Sequence, residues 1–550
     1  MTPAADADRA DRLDGWKQIA VYLQRGVRTV RRWEREEGLP VHRHVHRVLG
    51  SVYAYRPEID AWQRWHRDLD RPRPSPRAAE GPARVPSIAV LSFANLSADP
   101  ENAYFADGLA DEITADLSRI RALRVISRTS SATFRGAAKD ARAIGRALGA
   151  RYLLEGSVRR AGGRLRVAAR LIDADADSYL WAETFDGGVE DVFAIQERVA
   201  RVVVGALELR LTSDEERRLL DRGIDDVHAY TCYLRARQQG WRWRRDAIDQ
   251  AIQLLRNGLA IVGENARLYA ALGVAHLQYR EAGIDFGEAP LAEAEACALK
   301  IFAMGPASAA ALQLRGWIHY ARSRVQHAVH DLKSALDLEP NDADTLLLLS
   351  NCYLISGHVA AARPLLERVA AIDPLTPLTR CMPAWASLLE GDRAAALGAY
   401  GQMFEMDPGN PMARLFYVWV LLLNEREDAI PGLIASFPPE VRDTVPAQVA
   451  RFLAGSVRRV RDGLPIPPLS PEVQAAADAT DVFARFVAGG YARAGDAASA
   501  LRWLEVAVDR GFVNHHFLAR VDPSFESLRR EPRFVRLMDV ARDRQERFAV

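Results

Sequence analysis

Lysine is nearly missing from this chain. Only Lys17, Lys139, Lys300 and Lys333 occur among 550 residues, so arginine supplies almost all of the 73 basic side chains. None of the four follows a glycine, which excludes a Walker-type phosphate loop, because that loop sets a Gly-Lys pair on the nucleotide. Charge of one sign is lacking too. The 72 acidic residues leave a net charge of +1, so no global field draws the chain to nucleic acid or anionic lipid. Such attraction has to come from a local patch, and an isolated arginine in so arginine-rich a sequence carries little information.

Cysteine is sparse. Cys232, Cys297, Cys352 and Cys381 lie too far apart for a zinc knuckle or a small disulfide scaffold and read as buried thiols in a reducing compartment. The longest wholly apolar run, Leu415 to Leu423, falls short of the roughly 20 residues a membrane span needs. The first residues lack the apolar segment of a secretory signal, so the expectation is a soluble cytoplasmic protein without a membrane partner. HExxH, GxSxG and GxGxxG are absent as well. Adjacent acids such as Asp111-Glu112 fit helix starts and solvated faces. Neither catalysis nor a cofactor is expected.

What is present divides the chain. At 550 residues it is too long for one core, and its composition shifts twice. Residues 71–86 hold five prolines and form an extended linker. Near residues 211–226 alternating strand and helix patterns give way to helices alone. The expected class is multidomain: a small winged helix-turn-helix over 13–70, an α/β middle domain over 87–211, and an all-α solenoid over 226–444. A further helical region covers 445–550, with a repeat at about 481–514.

The helical region carries a period. Pro306, Pro340, Pro374 and Pro408 stand 34 residues apart, with small residues at one column (Gly316, Ser350, Ala384) and alanine at another (Ala328, Ala362, Ala396). Small residues are needed where two antiparallel helices approach closely. The pattern resembles tetratricopeptide repeats, with units at 232–265, 266–308, 309–342, 343–376 and 377–410 and a degenerate one from 411. The second unit has nine extra residues, placed around Gly283 to Pro290. Each repeat is a helical hairpin with an unburied face, so stacking supplies the core and leaves a groove. The resemblance puts one column of first-helix residues on that groove: Trp317, Asn351, Trp385 and Trp419. Its aromatic character suits an extended peptide or helix with apolar anchors, although packing between neighbouring helices explains the same residues.

Upstream, DGWKQIAVYL places Trp16, Ile19, Ala20 and Leu23 at helical spacing. Gly26 breaks, and VRTVRRWERE resumes with Val30 and Trp33 opposite Arg28, Arg31, Arg32 and Arg35. VHRHVHRVLGSVYAY then alternates about a turn at Leu49-Gly50, as a two-stranded wing does. Between residues 25 and 47 there are seven arginines and three glutamates. The order resembles the winged helix-turn-helix of MerR-type regulators and excisionases, on Val30-Arg31-Arg32-Trp33-Glu34-Arg35, Glu37-Gly38-Leu39 and Tyr53-Ala54-Tyr55. That resemblance implies double-stranded DNA as partner. Arg28, Thr29, Arg31 and Arg32 would face bases or adjoining phosphates, and Arg35, Arg43 and Arg47 would touch phosphate. A solvated arginine-rich face would show the same composition. MerR proteins dimerise through a long helix after the wing, where this chain has a proline-rich stretch, so the oligomeric state stays open. His42, His44 and His46 alternate on one side of a strand, but no carboxylate or cysteine completes a metal set.

In the middle region, AVLSFANLS, YFADGLADEI, RYLLEGSVRR and WAETF resemble the TolB amino-terminal or FlgO-like domain. The resemblance implies a fold without a ligand. Asn95, Asp107, Glu112, Arg128 and Thr129 fall near strand ends, as capping residues or as ligand contacts. Together these features point to a DNA-binding transcriptional regulator with a protein-interaction region and a sensory α/β domain. The alternatives are a signalling scaffold whose N-terminal unit binds protein, or an accessory subunit of a nucleotide-cyclase or kinase system.

Overall fold

Val30 is fully buried and Trp33 half-buried on one side of the helix Val27–Glu36 (α2), while Arg28, Arg31 and Arg32 on the other side are exposed. The computed structural model describes residues 12–36, 39–44, 51–56, 59–60, 85–98, 102–136, 140–220, 223–240 and 244–550. It divides into two compact units, Met1–Arg84 and Val85–Val550. In the first unit α2 packs on Gly15–Tyr22 (α1), with Ile19, Ala20, Leu23, Val30, Ala54 and Ile59 forming the core. Asp14 occupies the N-cap position of α1, where its amide donates to Gln18 Oε1 at 2.8 Å.

The expected wing is the antiparallel pair His42–His44 (β2) and Ser51–Tyr55 (β3), with His42 opposite Tyr53; its tip lies outside the described residues. A third strand, Arg12–Asp14 (β1), pairs with the other edge of β3. Three residues with one apolar side chain give no alternation to read, so that strand is not legible in the sequence. Most of the linker, 71–84, falls outside the described residues.

The second unit begins with an α/β sheet. Ser87–Val90 (β4) is buried at all four positions, as expected of a strand covered on both faces. It pairs in parallel with Arg124–Val125 (β6) and with Tyr152–Ala161 (β7). Short Ala94–Asn95 (β5) also pairs with β7. From β7 an antiparallel meander continues through Arg164–Asp173 (β8) to Ser178–Gly188 (β9) at the edge. The turn at Gly162 has φ 58°, a conformation glycine adopts without steric cost. Strand β9 covers the WAETF segment; half-exposed along its length, it lacks the dense apolar signal of β4.

Ala103–Ser118 (α3) and Val192–Ala206 (α6) cover one face of this sheet through Phe105, Leu109, Ile113, Val199 and Val203. On the other face Arg128–Ala132 (α4) follows β6, and Ala141–Leu148 (α5) packs Ile144 and Leu148 onto Ala89, Leu153 and Ile172.

After Ser213–Leu220 (α7), helices follow in hairpins: Val227–Gly240 (α8) with Arg245–Val262 (α9), Ala266–Glu281 (α10) with Glu288–Met304 (α11), and Ala309–Ala321 (α12) with Val325–Leu338 (α13). Next come Ala343–Ile355 (α14) with Val359–Ile372 (α15), Pro377–Leu389 (α16) with Arg393–Met406 (α17), and Pro411–Leu423 (α18). The 34-residue spacing falls on the turns between hairpins. The first hairpin begins at Val227, ahead of the expected 232. Ala328, Ala362 and Ala396 are fully buried, and a Cβ on Gly316 would stand 2.8 Å from Leu332, so the small-residue columns are close helix contacts. The nine extra residues of the second repeat are shared: α10 and α11 are each longer than α12 and α13, and their turn, 282–287, is longer too.

Beyond α18 the hairpins become irregular through Ile430–Ala435 (α19), Val445–Asp462 (α20) and Pro471–Ala479 (α21). The isolated later repeat is Asp481–Arg493 (α22) with Ala497–Asp509 (α23), and Pro532–Glu546 (α24) closes the chain.

The α/β domain and the repeats fall within one compact unit. Two of the periodic turns explain it. Asn341, after Pro340, donates to the carbonyls of Ser118 and Leu123 at 3.2 and 2.9 Å. Asp373, before Pro374, is buried and accepts from the hydroxyls of Ser127, Ser130, Thr376 and Thr379, while the Ser127 amide donates to the Ile372 carbonyl at 2.6 Å. Removing a carboxylate with four hydroxyl donors strands buried groups. Asp373→Ala is expected to lower stability by about 1–3 kcal/mol and Asn341→Ala by somewhat less, measured by urea unfolding of the full chain.

Candidate nucleic-acid interface and repeat groove

Helix α2 begins after Gly26 and presents Arg28, Arg31 and Arg32 outward because Val30 and Trp33 take the inward positions three apart. Thr29 is half-exposed between them. The Arg31 guanidinium lies over the Trp16 ring of α1, 5.2 Å from its centroid, which holds the side chain on the helix surface at a gain of about 0.5–1 kcal/mol. Arg35 and Arg43 belong to α2 and β2, but their side chains, and Arg47 altogether, lie outside the described residues. His42 stacks on Tyr53 with centroids 5.2 Å apart, and His46 lies outside the described residues. Among the described residues no three His, Cys, Asp or Glu side chains form a metal-sized group.

The groove column is organised differently from the expectation. Trp385 and Trp419 are 6% and 5% exposed, with ring centroids 5.6 Å apart, and Trp385 meets Phe517 at 5.7 Å. Residues from α22 and the following segment cover them. The Val513 amide donates to the Ile355 carbonyl at 2.9 Å, and Asn514 Nδ2 to the Leu354 carbonyl at 3.1 Å. At the centre sits Arg485, 4% exposed, its guanidinium carbon within 4.7–5.7 Å of the rings of Trp385, Trp419, Phe486, Phe512 and Phe517. Trp317 is half-buried, with its indole nitrogen buried and unpartnered, and Asn351 donates to the Tyr320 hydroxyl at 3.2 Å. Trp385 and Trp419 therefore belong to the core and cannot line an open peptide groove. The first-helix face is filled by the chain itself, because packing Phe512, Phe517 and Phe525 into this core removes their apolar surface from water. The flanking VFARFVA was a signal for Arg485: an arginine with apolar neighbours on every side.

The same face is closed at the earlier repeats by α3. Glu112, 3% exposed in its side chain, pairs with Arg237 of α8 at 3.3 Å and with Arg267 of α10. Asp111 pairs with Arg128, and Asp107 with Arg135 at 2.7 Å. Asp107, Glu112 and Arg128, weighed as ligand contacts, thus form ion pairs within the unit. Asn95 Oδ1 accepts from the Ser97 amide at 2.9 Å, a local turn contact, while Thr129 lies on α4. Burial raises Asp111 to about 6 against the opposing pull of Arg128, and raises Asp116 to about 7 against Arg119.

Residues 319–378 match the family described as tetratricopeptide repeat, and residues 83–202 match the HilA/YgeH-like transcriptional regulator, second domain. The chain thus carries tetratricopeptide repeats beside a regulator-type α/β domain. It is 44% identical over 209 residues to the putative adenylate cyclase 3 of Rhizobium meliloti (strain 1021), a match covering 37% of this chain and 36% of that protein. The chain therefore spans about a third of the length of that curated relative. Among solved structures it is similar to a thermophilic TPR protein of Thermus thermophilus, at 19% identity over 35% of this chain and 99% of that one, with a TM-score of 0.30. It is also similar to yeast Tom70, at 13% identity over 65% and 80% of the two chains, with a TM-score of 0.31. Among the described residues no helix is long and apolar enough to cross a membrane.

Two expectations separate core from groove. Trp385→Ala should cost about 3–5 kcal/mol in chemical denaturation, as truncation of a buried aromatic does, whereas a groove-lining tryptophan would leave stability nearly unchanged. A carboxyl protonated when folded but ionised when unfolded favours the folded state at low pH. The Asp116 contribution is therefore lost as pH rises from its ordinary 3.8 toward about 7, and urea midpoints across that range should flatten in Asp116→Asn.

Proposed function

We propose that this protein is a cytoplasmic, non-enzymatic transcriptional regulator that binds double-stranded DNA through α2 and the β2–β3 wing. The observation that carries the reading is the arginine face of α2: Arg28, Arg31 and Arg32 point to solvent from a helix whose opposite side is locked into a small core. The regulator-type second domain at 83–202 supports it. In this reading the winged unit is of MerR or excisionase type. Arg28, Thr29, Arg31 and Arg32 address base edges and adjoining phosphates, while Arg35, Arg43 and Arg47 neutralise backbone phosphate. The α/β domain, TolB-like in its phrases, serves as the sensory module. A protein partner meets the repeats on surfaces other than the filled first-helix face.

A second reading has one observation in its favour. The Rhizobium meliloti relative is named a putative adenylate cyclase, which suits a chain that accompanies a nucleotide cyclase as an accessory or scaffold subunit.

Gel-shift titration of the full chain on mixed-sequence duplex tests the first reading. Affinity should fall linearly on a log-log plot against salt, and Arg28→Ala or Arg31→Ala should weaken binding and lower the salt slope by about one unit each. A triple Arg28, Arg31 and Arg32 alanine variant with wild-type affinity would overturn it. Cyclase activity recovered with the affinity-purified chain would favour the second.

A further inference from the structure

Strand β9 ends the α/β sheet with an open edge. Its inner edge pairs with β8 along Ser178–Gly188, and among the described residues no strand pairs with the outer one. An unpaired edge presents alternate N–H and C=O groups to a further strand, so proteins blunt such edges with proline, lysine, shortness or a covering element. The first three are missing from β9. The segment SYLWAETFDGG has no proline, lysine or arginine, and at 11 residues it is longer than any other strand described.

Its geometry has one irregularity. Trp181 stands opposite Leu171 and Tyr179 opposite Ile172, so Leu180 has no partner on β8 and is 41% exposed. From Trp181 to Gly188 the pairing is regular. Along that stretch Trp181, Glu183 and Phe185 turn toward α6, while Ala182, Thr184 and Asp186 are exposed on the opposite face.

The charges on the strand leave little for a foreign peptide to read. Glu183 pairs with Arg198 of α6, and Asp186 with Arg166 of β8 at 3.5 Å, so both acids are matched within the chain. A basic segment meets no unpaired carboxylate on β9, and an acidic one meets no cation there. What the strand fits is itself. Antiparallel pairing of two copies about a two-fold axis sets one residue opposite its own counterpart, and opposed residues share a face. An axis at Glu183 or Asp186 would oppose like charges. An axis at Thr184 keeps the regular stretch in the seam: threonine meets threonine, Glu183 meets Phe185, Ala182 meets Asp186, and Trp181 meets Gly187, which has no side chain to oppose it. We propose that two copies of this chain associate through β9, joining their sheets across a two-fold axis at Thr184. The interface stands whether or not the chain binds DNA.

Sedimentation velocity of the full chain from about 1 to about 50 µM should show a monomer–dimer equilibrium. Thr184 is exposed, so replacing it leaves the fold intact while changing the seam. Thr184→Lys and Thr184→Glu should each raise the dissociation constant by about fivefold, because like charges then meet on the axis. An equimolar mixture of the two variants should recover the wild-type association as a heterodimer. A chain that stays monomeric across the range overturns the proposal. So does a dimer whose constant neither variant changes, and so does a loss of association in both variants that mixing fails to reverse.

Discussion

A helical hairpin repeat buries one face against its neighbour and leaves the first-helix face without a partner. In this protein that face is closed from within, and the arrangement of residues 85–550 follows from how it is closed. At the early repeats, Glu112 of α3 is held between Arg237 and Arg267. At the later ones, Arg485 sits in a cage of five aromatic rings contributed by first helices and by the chain's last hundred residues. A charge taken out of water persists only where its surroundings compensate it. Glu112 is compensated by two cations, Arg485 by ring quadrupoles and the field of Asp481 and Asp522.

That closure changes what the repeats can do. An open column of tryptophans would be a peptide site; the same tryptophans under Phe512 and Phe517 are the centre of a core. It also changes the setting of the α/β domain, which is bonded to the repeats through Asn341 and Asp373 within one compact unit.

Much of this was legible along the chain. Val30 and Trp33, three apart among arginines, specify a helix with one packed and one basic side. The prolines at 306, 340, 374 and 408 locate the turns between hairpins, and the buried alanines locate the helix contacts. β4 was legible because the apolar run Ile88 to Leu91 is too short for a helix and is bounded by polar residues, and the β7–β8 hairpin because Gly162-Gly163 interrupts two strand-like runs. β1 and β9 were not, since an edge strand of mixed polarity carries no strong period. The outward arginines of α2 are a matter of composition and helical spacing; Glu112, Arg237 and Arg267 are remote in sequence and meet only because α3 packs on the first helices of the early repeats.

The sequence by itself determined the modules: a small basic unit, a mixed α/β domain and helical hairpins of fixed length, since each depends on interactions among residues near one another in the chain. Only the tertiary structure decided which surfaces remain available. Whether Trp385 is a ligand contact or a core residue, and whether Glu112 is a site or an ion pair, turns on segments a hundred or more residues away. Local periodicity records that a side chain must be buried, but the partner that buries it is chosen by the apolar area and charge left exposed elsewhere.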